Sequence, residues 1–459
     1  MIDLITYFFS LSLIGLVINN FKNRFFINFF IGITASSFLY YFFPTLLYEE
    51  RFVSSVKYFY LVLAIYFIYK HEDSYKKKIY YFLSNLFFAS SVYILLLILI
   101  RLDFQITTVD SFRFYLLENV FVAKTFDFWP AFNNSSFIYI IFINSKLILN
   151  DNNLHFMTVL NFLALLMFIS YNKRAFKNIN LYLLLITSCF IFFNHVFINF
   201  FFYLNWTFLF SIVLAILLVD SSKKILSKNE KSFLLILLTL LRIEAIAYYL
   251  IIIYLYRRND KFYSHYYYLT SFYFLNFINN IRFGNVQNFI SSFANNTRIE
   301  LFIESFSELV ILILVSILLT YFLSNDNLIK LIEKYFIGFF LFNVIVIALI
   351  YPNYFLNTFN TFINLFFTTN FGISIGIVSA AYFFNKFYYK SQLIYNFNFF
   401  ITTILFLTIL FRGINHQFIG SAMGDNIFDS VFRIFFVLQP ISVTLLINEF
   451  SLLNLKIIK

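Results

Sequence analysis

The chain has 459 residues, 61% of them hydrophobic and 12% charged, with a formal net charge of +11. Soluble domains carry about 25% charged and roughly 45–50% apolar residues, so an ordinary soluble fold is excluded. The single cysteine, Cys189, excludes an internal disulfide, and five scattered histidines without ligand spacing argue against a His/Cys metal site.

Apolar runs of membrane-crossing length recur from end to end. Backbone polar groups in hydrocarbon must pair within their own segment, so the expected fold is an all-α polytopic membrane protein. The strand alternation of a β-barrel is absent. In chain order the expected spans begin with 2–18, 25–46, 53–69, 80–101, 154–171, 180–198 and 207–220. They continue with 262–280, 302–323, 333–350, 373–385, 391–411 and 434–450, about thirteen helices in all. The first run lacks a basic leader and a small-residue cleavage site and is expected to stay as a span. Segment 136–149 is short for a crossing and is expected to lie on the outer interface. Segment 233–256, basic at both ends, is expected to be a hairpin entering from the cytoplasmic side. No soluble domain, linker or internal repeat interrupts the series. The abundance of Phe and Tyr follows AT-rich codon usage and carries no functional weight.

The positive charge sits in short tethers between the apolar runs. These are Lys22 and Arg24; Lys70 with Lys76, Lys77 and Lys78; Lys173, Arg174 and Lys177; and Lys223, Lys224, Lys228 and Lys231. Arg257, Arg258 and Lys261, then Lys330 and Lys334, Lys386 and Lys390, and Lys456 and Lys459 complete the series. This placement is that of cytoplasmic loops, not of a nucleic-acid surface. It turns three polar stretches outward: 107–137, 279–298 and 412–433.

The first of these, "TTVDSFRFYLLENVFVAKTFDFWPAFNNSSF", is rich in charge for so apolar a chain. A single loop carboxylate such as Asp110 is ordinarily just solvated. Near an apolar boundary it can also act as a general base, taking the proton of an acceptor hydroxyl that attacks a sugar carbon. A lipid-linked phosphate would be the leaving group. Arg113, Arg282 and Arg433 are candidate phosphate partners because a guanidinium forks onto phosphate oxygens, although each alone also reads as an interfacial anchor. In "LLTLLRIEAIAYYLIII", Arg242 and Glu244 stand inside an apolar run, where a central charge costs roughly 2.5–3.5 kcal/mol. Two residues apart, they cannot face each other on a regular helix. A helix break or partners on other helices follows, either as a structural brace or as a contact to the lipid-phosphate head or the acceptor.

The order of these loops resembles a bacterial branch of the GT-C class of membrane glycosyltransferases, which includes arabinofuranosyltransferases of mycobacterial walls. The family's first outer loop carries Asp, an aromatic, Arg and a later Asn; "DSFRFYLLEN" is similar, with Asp110, Phe112, Arg113 and Asn119, the Arg displaced. "NNSSFIY" keeps Ser136 of a following interfacial element, and "LNWTFLF" resembles the next, with Trp206 where the family has an acid. "RIEA", Arg242 to Ala245, is similar to the family's Arg-Pro-Glu-Gly. "RFGNVQNF" carries Arg282 and Asn285 of a Gly-Asn-Pro-like loop. "GDNIFDSVFRIFFVLQP" matches a closing Gly-Asp, Arg and Pro with Gly424, Asp425, Arg433 and Pro440.

The resemblance covers roughly residues 80–450. It implies a GT-C-like fold with a helical first outer loop and a polar outer-face cavity. Residues 1–79 would be three additional N-terminal helices, 80–450 the catalytic module, and 451–459 a cytoplasmic tail. It implies transfer of a sugar, with inversion, from a polyprenyl-phosphate donor to a hydroxyl of an envelope glycan, lipid or protein acceptor. Asp110 would be the base, and Asp127 or Asp425 would fill the acidic role missing at Trp206. A divalent cation, Mg or Mn, is compatible with the site but not required by it. The setting would be a bacterial inner membrane, with lipids but no nucleic acid as partners, the site facing the exterior and the C-terminus in the cytoplasm. A polysaccharide polymerase would call for more basic outer loops. A transporter or flippase would call for paired repeats and helices broken at Gly or Pro.

Overall fold

The computed structural model describes residues 2–42, 50–101, 155–176, 207–241 and 438–457, with isolated helical positions between 252 and 376. Among the described residues all regular structure is helical, with no strand. Eight helices are defined: α1 Ile2–Ile18, α2 Phe25–Phe42, α3 Glu50–His71, α4 Tyr75–Ile100, α5 His155–Ala175, α6 Thr207–Lys223, α7 Lys228–Leu241 and α8 Leu438–Ile457. They overlie the spans expected at 2–18, 25–46, 53–69, 80–101, 154–171, 207–220 and 434–450, and the start of 233–256. Of these, α4 over Tyr75–Leu99 is long and apolar enough to cross a membrane by length and composition, with a mean hydropathy of 2.2. The helix begins at Tyr75 rather than residue 80, because Lys76, Lys77 and Lys78 extend it by a turn. At the C-terminus, α8 continues through residues 451–457, into the stretch expected as a tail. Isolated helical positions fall within the expected spans 333–350 and 373–385, while 180–198, 262–280, 302–323, 391–411 and segment 136–149 lie outside the described residues.

The chain divides into two compact units. One comprises 1–220 and 224–246, the other 221–223 and 247–459. In the first, α1 packs against α2, α3 and α4; α7 lies on α2, and α5 touches both α2 and α4. Helix α1 is therefore central, and Leu11, Leu13 and Leu16 are wholly buried. Its antiparallel contact with α2 is unusually close. A Cβ on Gly15 would lie 1.8 Å from the Asn28 carbonyl oxygen, and one on Gly32 1.9 Å from that of Leu11. Only residues without a Cβ let the two backbones meet at this distance.

The core of this unit is mostly Leu, Ile, Phe and Val, with polar side chains buried among them. Ser10, Ser12, Thr34, Asn85 and Asn172 are buried. They are satisfied largely by their own helices: Ser10 donates to the Tyr7 carbonyl, Thr34 to Phe30, Asn85 to Tyr81 and Asn172 to Phe168. Across helices, Ser12 donates to Asn85 Oδ1, tying α1 to α4. Large apolar side chains also face outward. On α3 these are Tyr58, Val62, Tyr66 and Tyr69; on α4 they include Leu83, 61% exposed, and Phe87, 76% exposed. The three- and four-residue spacing makes each set a continuous stripe along its helix. In the second unit, Phe342, Ile345, Leu349 and Leu356 are exposed at the same spacing.

The close crossing sets up an internal comparison. Gly15→Val and Gly32→Val should each lower the unfolding midpoint of the detergent-solubilised protein, overpacking of this kind costing about 1–3 kcal/mol or more. Gly338 has nothing within 4 Å of a Cβ position, so Gly338→Ala should leave the midpoint unchanged or slightly higher.

Candidate functional site

The densest polar constellation among the described residues lies where three tethers meet. Helix α1 ends in a Schellman turn: the Phe21 amide donates to the Leu16 carbonyl at 2.9 Å and the Asn20 amide to Val17 at 3.0 Å. Asn20 takes the left-handed position with φ 52°, and Phe21 follows at φ 58°. The Phe21 ring is held by stacking on Tyr81 at 6.0 Å. This turn aims Asn19 and Arg24 toward the start of α7.

Ser227 precedes α7 and forms a reciprocal box with Glu230. The Ser227 amide donates to Glu230 Oε2 at 2.7 Å, and the Glu230 amide donates to Ser227 Oγ at 3.4 Å. Arg24 Nη1 reaches Glu230 Oε2 at 2.6 Å, and Asn19 Nδ2 donates to Oε1 at 2.8 Å. Asn19 Nδ2 also donates to Asn28 Oδ1 at 2.8 Å, and Ser227 Oγ donates back to Asn19 Oδ1 at 3.1 Å. Asn229 Nδ2 closes the far side on the Ile18 carbonyl at 2.6 Å. Glu230 is fully buried, and Arg24 is 19% exposed at its side chain. A cation and several donors thus converge on one buried carboxyl group.

A second buried carboxylate shapes the turn between α6 and α7. Lys224 takes a left-handed conformation at φ 53°, and its amide donates to the Asp220 carbonyl at 2.9 Å. Asp220 Oδ1 accepts the Ile225 and Leu226 amides, each at 2.7 Å, and the Tyr171 hydroxyl of α5 at 3.2 Å. Lys231 Nζ lies 3.5 Å from Asp220 Oδ2. Arg174, one turn beyond Tyr171, has its pKa lowered first by burial and then by the Arg24 charge, with Glu230 opposing. It stays charged at any working pH, so Glu230 serves two guanidinium groups, one by contact and one through space.

These acceptors are filled by the protein's own donors, so the constellation is a clasp rather than a reaction centre. Among the described residues no group of three or more His, Cys, Asp and Glu could hold a metal ion. Every catalytic or substrate-binding candidate named from the sequence lies outside the described residues, whereas Arg24, read there as a tether cation, is part of the clasp. Asp110, Arg113 and Asp127 fall between α4 and α5; Arg242 and Glu244 follow Leu241, the last residue of α7; Arg282, Asn285, Asp425 and Arg433 precede α8. What sequence reading missed is Glu230, Asp220, Asn19 and Asn28. The signal for Glu230 was present in "SKNE", the Ser-x-x-Glu spacing of a capping box set among lysines. No family model matches the chain, and no curated protein or solved structure matches it.

Removing the Glu230 carboxylate would leave Arg24 partly buried without its counter-charge. Glu230→Ala should therefore cost about 3–5 kcal/mol, read as the unfolding midpoint in detergent. Asn20→Gly should instead gain up to about 1 kcal/mol, because glycine adopts the left-handed position without strain. An unchanged midpoint in Glu230→Ala would show that the clasp does not hold the unit together.

Proposed function

We propose that the chain is an integral membrane glycosyltransferase that moves a sugar from a polyprenyl-phosphate donor to a hydroxyl acceptor of the cell envelope at the outer membrane face. The observation that carries this reading is the ordered set of polar stretches, Asp110–Asn119, Arg242–Ala245, Arg282–Asn285 and Gly424–Arg433, in a chain otherwise built of apolar runs. Two features of the described helices support its membrane setting. The outward stripes of α3 and α4 are apolar while polar side chains are buried, as expected of helices facing hydrocarbon. The tethers carrying Arg24, Lys173 and Lys231 gather at one end of the bundle, as the basic-residue distribution requires of loops sharing one compartment.

Helix α4 runs away from that end, starting beside Asn23, and α5 runs back toward it, ending beside Asp220. The chain therefore leaves α4 and enters α5 at the end opposite the basic clasp. This supports the expectation that the connection bearing Asp110, Arg113 and Asp127 faces outward when the clasp is cytoplasmic.

In the proposed step, the Asp110 carboxylate takes the acceptor hydroxyl proton as that oxygen bonds to the anomeric carbon. The bond from that carbon to the phosphate oxygen breaks, and the lipid phosphate leaves with the electron pair, inverting the centre. Arg113, Arg282 and Arg433 would hold the departing phosphate, and Arg242 with Glu244 the lipid-phosphate head or the acceptor. Asn285 and the carboxylates of Asp127 and Asp425 would position the sugar or acceptor hydroxyls. Donor activation resides in the lipid-phosphate bond, so the step draws on no nucleotide.

Asp110→Asn should abolish sugar transfer in membranes supplied with a polyprenyl-phosphate sugar while protein level stays normal; full activity would remove the base assignment. Transfer that persists in excess chelator would show that the arginines alone carry the phosphate charge.

A further inference from the structure

The proposed chemistry leaves unused the turn between α3 and α4. There "YKHEDSYKKKIYY" sets Lys70, Lys76, Lys77 and Lys78 among Tyr69, Tyr75 and Tyr80. Lys70, Lys76 and Lys77 are exposed. Lys70 Nζ lies 5.7 Å from the Tyr66 ring centroid and Lys78 Nζ 4.4 Å from that of Tyr69. Lys78 also closes the turn by donating to the Tyr69 carbonyl at 3.2 Å. Asn23 Nδ2 donates to the Tyr80 hydroxyl at 2.9 Å, which brings exposed Lys22 of the α1–α2 turn alongside. Five lysines thus face two carboxylates, Glu72 and Asp73. Glu72 is already engaged by Lys77 at 3.5 Å and by the Ser74 amide at 3.3 Å.

Further along the same helices come the exposed stripes of Val62 and Tyr66 on α3 and Leu83 and Phe87 on α4. Apolar stripe, tyrosine layer and lysine cluster follow one another along α3 and α4. That is the sequence of environments from acyl chains through headgroups to water, with tyrosines at the interface and lysine stems reaching outward. A zwitterionic headgroup leaves such a cluster uncompensated. An anionic one supplies the missing charge, each nearby lysine strengthening attraction several-fold.

We propose that the α3–α4 turn, with Lys22, is a binding surface for the headgroup of an anionic phospholipid, its phosphate seated among Lys22, Lys70 and Lys76 against the tyrosine layer. The inference rests on the membrane reading above but is independent of the glycosyltransferase chemistry. Lys77 and Lys78, engaged within the turn, set its shape; Lys76 makes no ion pair among the described residues and is the most direct reporter.

The test uses the purified full chain in detergent, exposed to phosphatidylglycerol or phosphatidylcholine, with retained lipid counted by native mass spectrometry. The wild type should retain phosphatidylglycerol in at least tenfold preference. Lys22→Gln/Lys70→Gln/Lys76→Gln should lose that preference, and Lys76→Glu alone should reduce it on the order of tenfold, with unfolding midpoints unchanged. Should the triple variant misfold, Lys76→Glu, at an exposed site, still decides the matter. Undiminished preference in Lys76→Glu, or displacement of the lipid by millimolar inorganic phosphate, would overturn the proposal. Carbonate washing of native membranes separates the two failures: release of the wild type would overturn the membrane reading itself, whereas retention with no lipid preference would overturn this inference alone.

Discussion

The buried carboxylate of Glu230 is the constraint around which the described bundle closes. An anion removed from water must be matched by donors, and here the donors come from stretches some two hundred residues apart: Asn19 and Arg24 on one side, Ser227 on the other. Satisfying the charge requires α1, α2 and α7 to end in one place. Such a pair need not outperform an apolar contact of the same volume in stability. Its effect is directional, because a bundle of Leu, Ile and Phe helices has many near-equivalent packings and the clasp favours the one in which these ends coincide.

The second organising feature is that apolar side chains form both the core and stripes on the outside of the bundle. Gly15 and Gly32 let α1 and α2 meet backbone to backbone, and buried hydroxyls and amides bond to carbonyls of their own helices. Beyond the apolar core, further large apolar side chains face outward on α3 and α4. In water such stripes would drive association; against acyl chains they are the ordinary surface. Function follows through orientation. A clasp at the basic end fixes which end of α4 and α5 is left for the polar connection between them, and so where the proposed transfer would occur.

The helices were legible in the sequence wherever an apolar run was bounded by tether residues. The run 2–18 ends at Asn19, and 207–220 stops at an aspartate whose carboxylate turns the chain. Boundaries moved where charged residues remained helical, as at Lys76–Lys78 of α4 and Lys456 of α8. The close glycine crossing was not legible, because nothing in composition distinguishes a Gly at a helix contact from one in open space such as Gly338. Nor was the clasp, since Glu230 and Asp220 look like ordinary acids among solvated lysines until the fold buries them. The proposed reaction residues, from Asp110 to Arg433, were legible as a pattern of chemistry in order along the chain, and their geometry lies outside the described residues.

Sidedness is the claim on which the rest stands, and it can be measured without knowing the sugar. Single cysteines introduced as Asp110→Cys and as Lys22→Cys, each in a Cys189→Ser background, can be probed with a membrane-impermeant maleimide on intact cells or spheroplasts. The cysteine at 110 should label from outside, and the one at 22 only after the membrane is opened. Labelling of both from the same side would contradict the account.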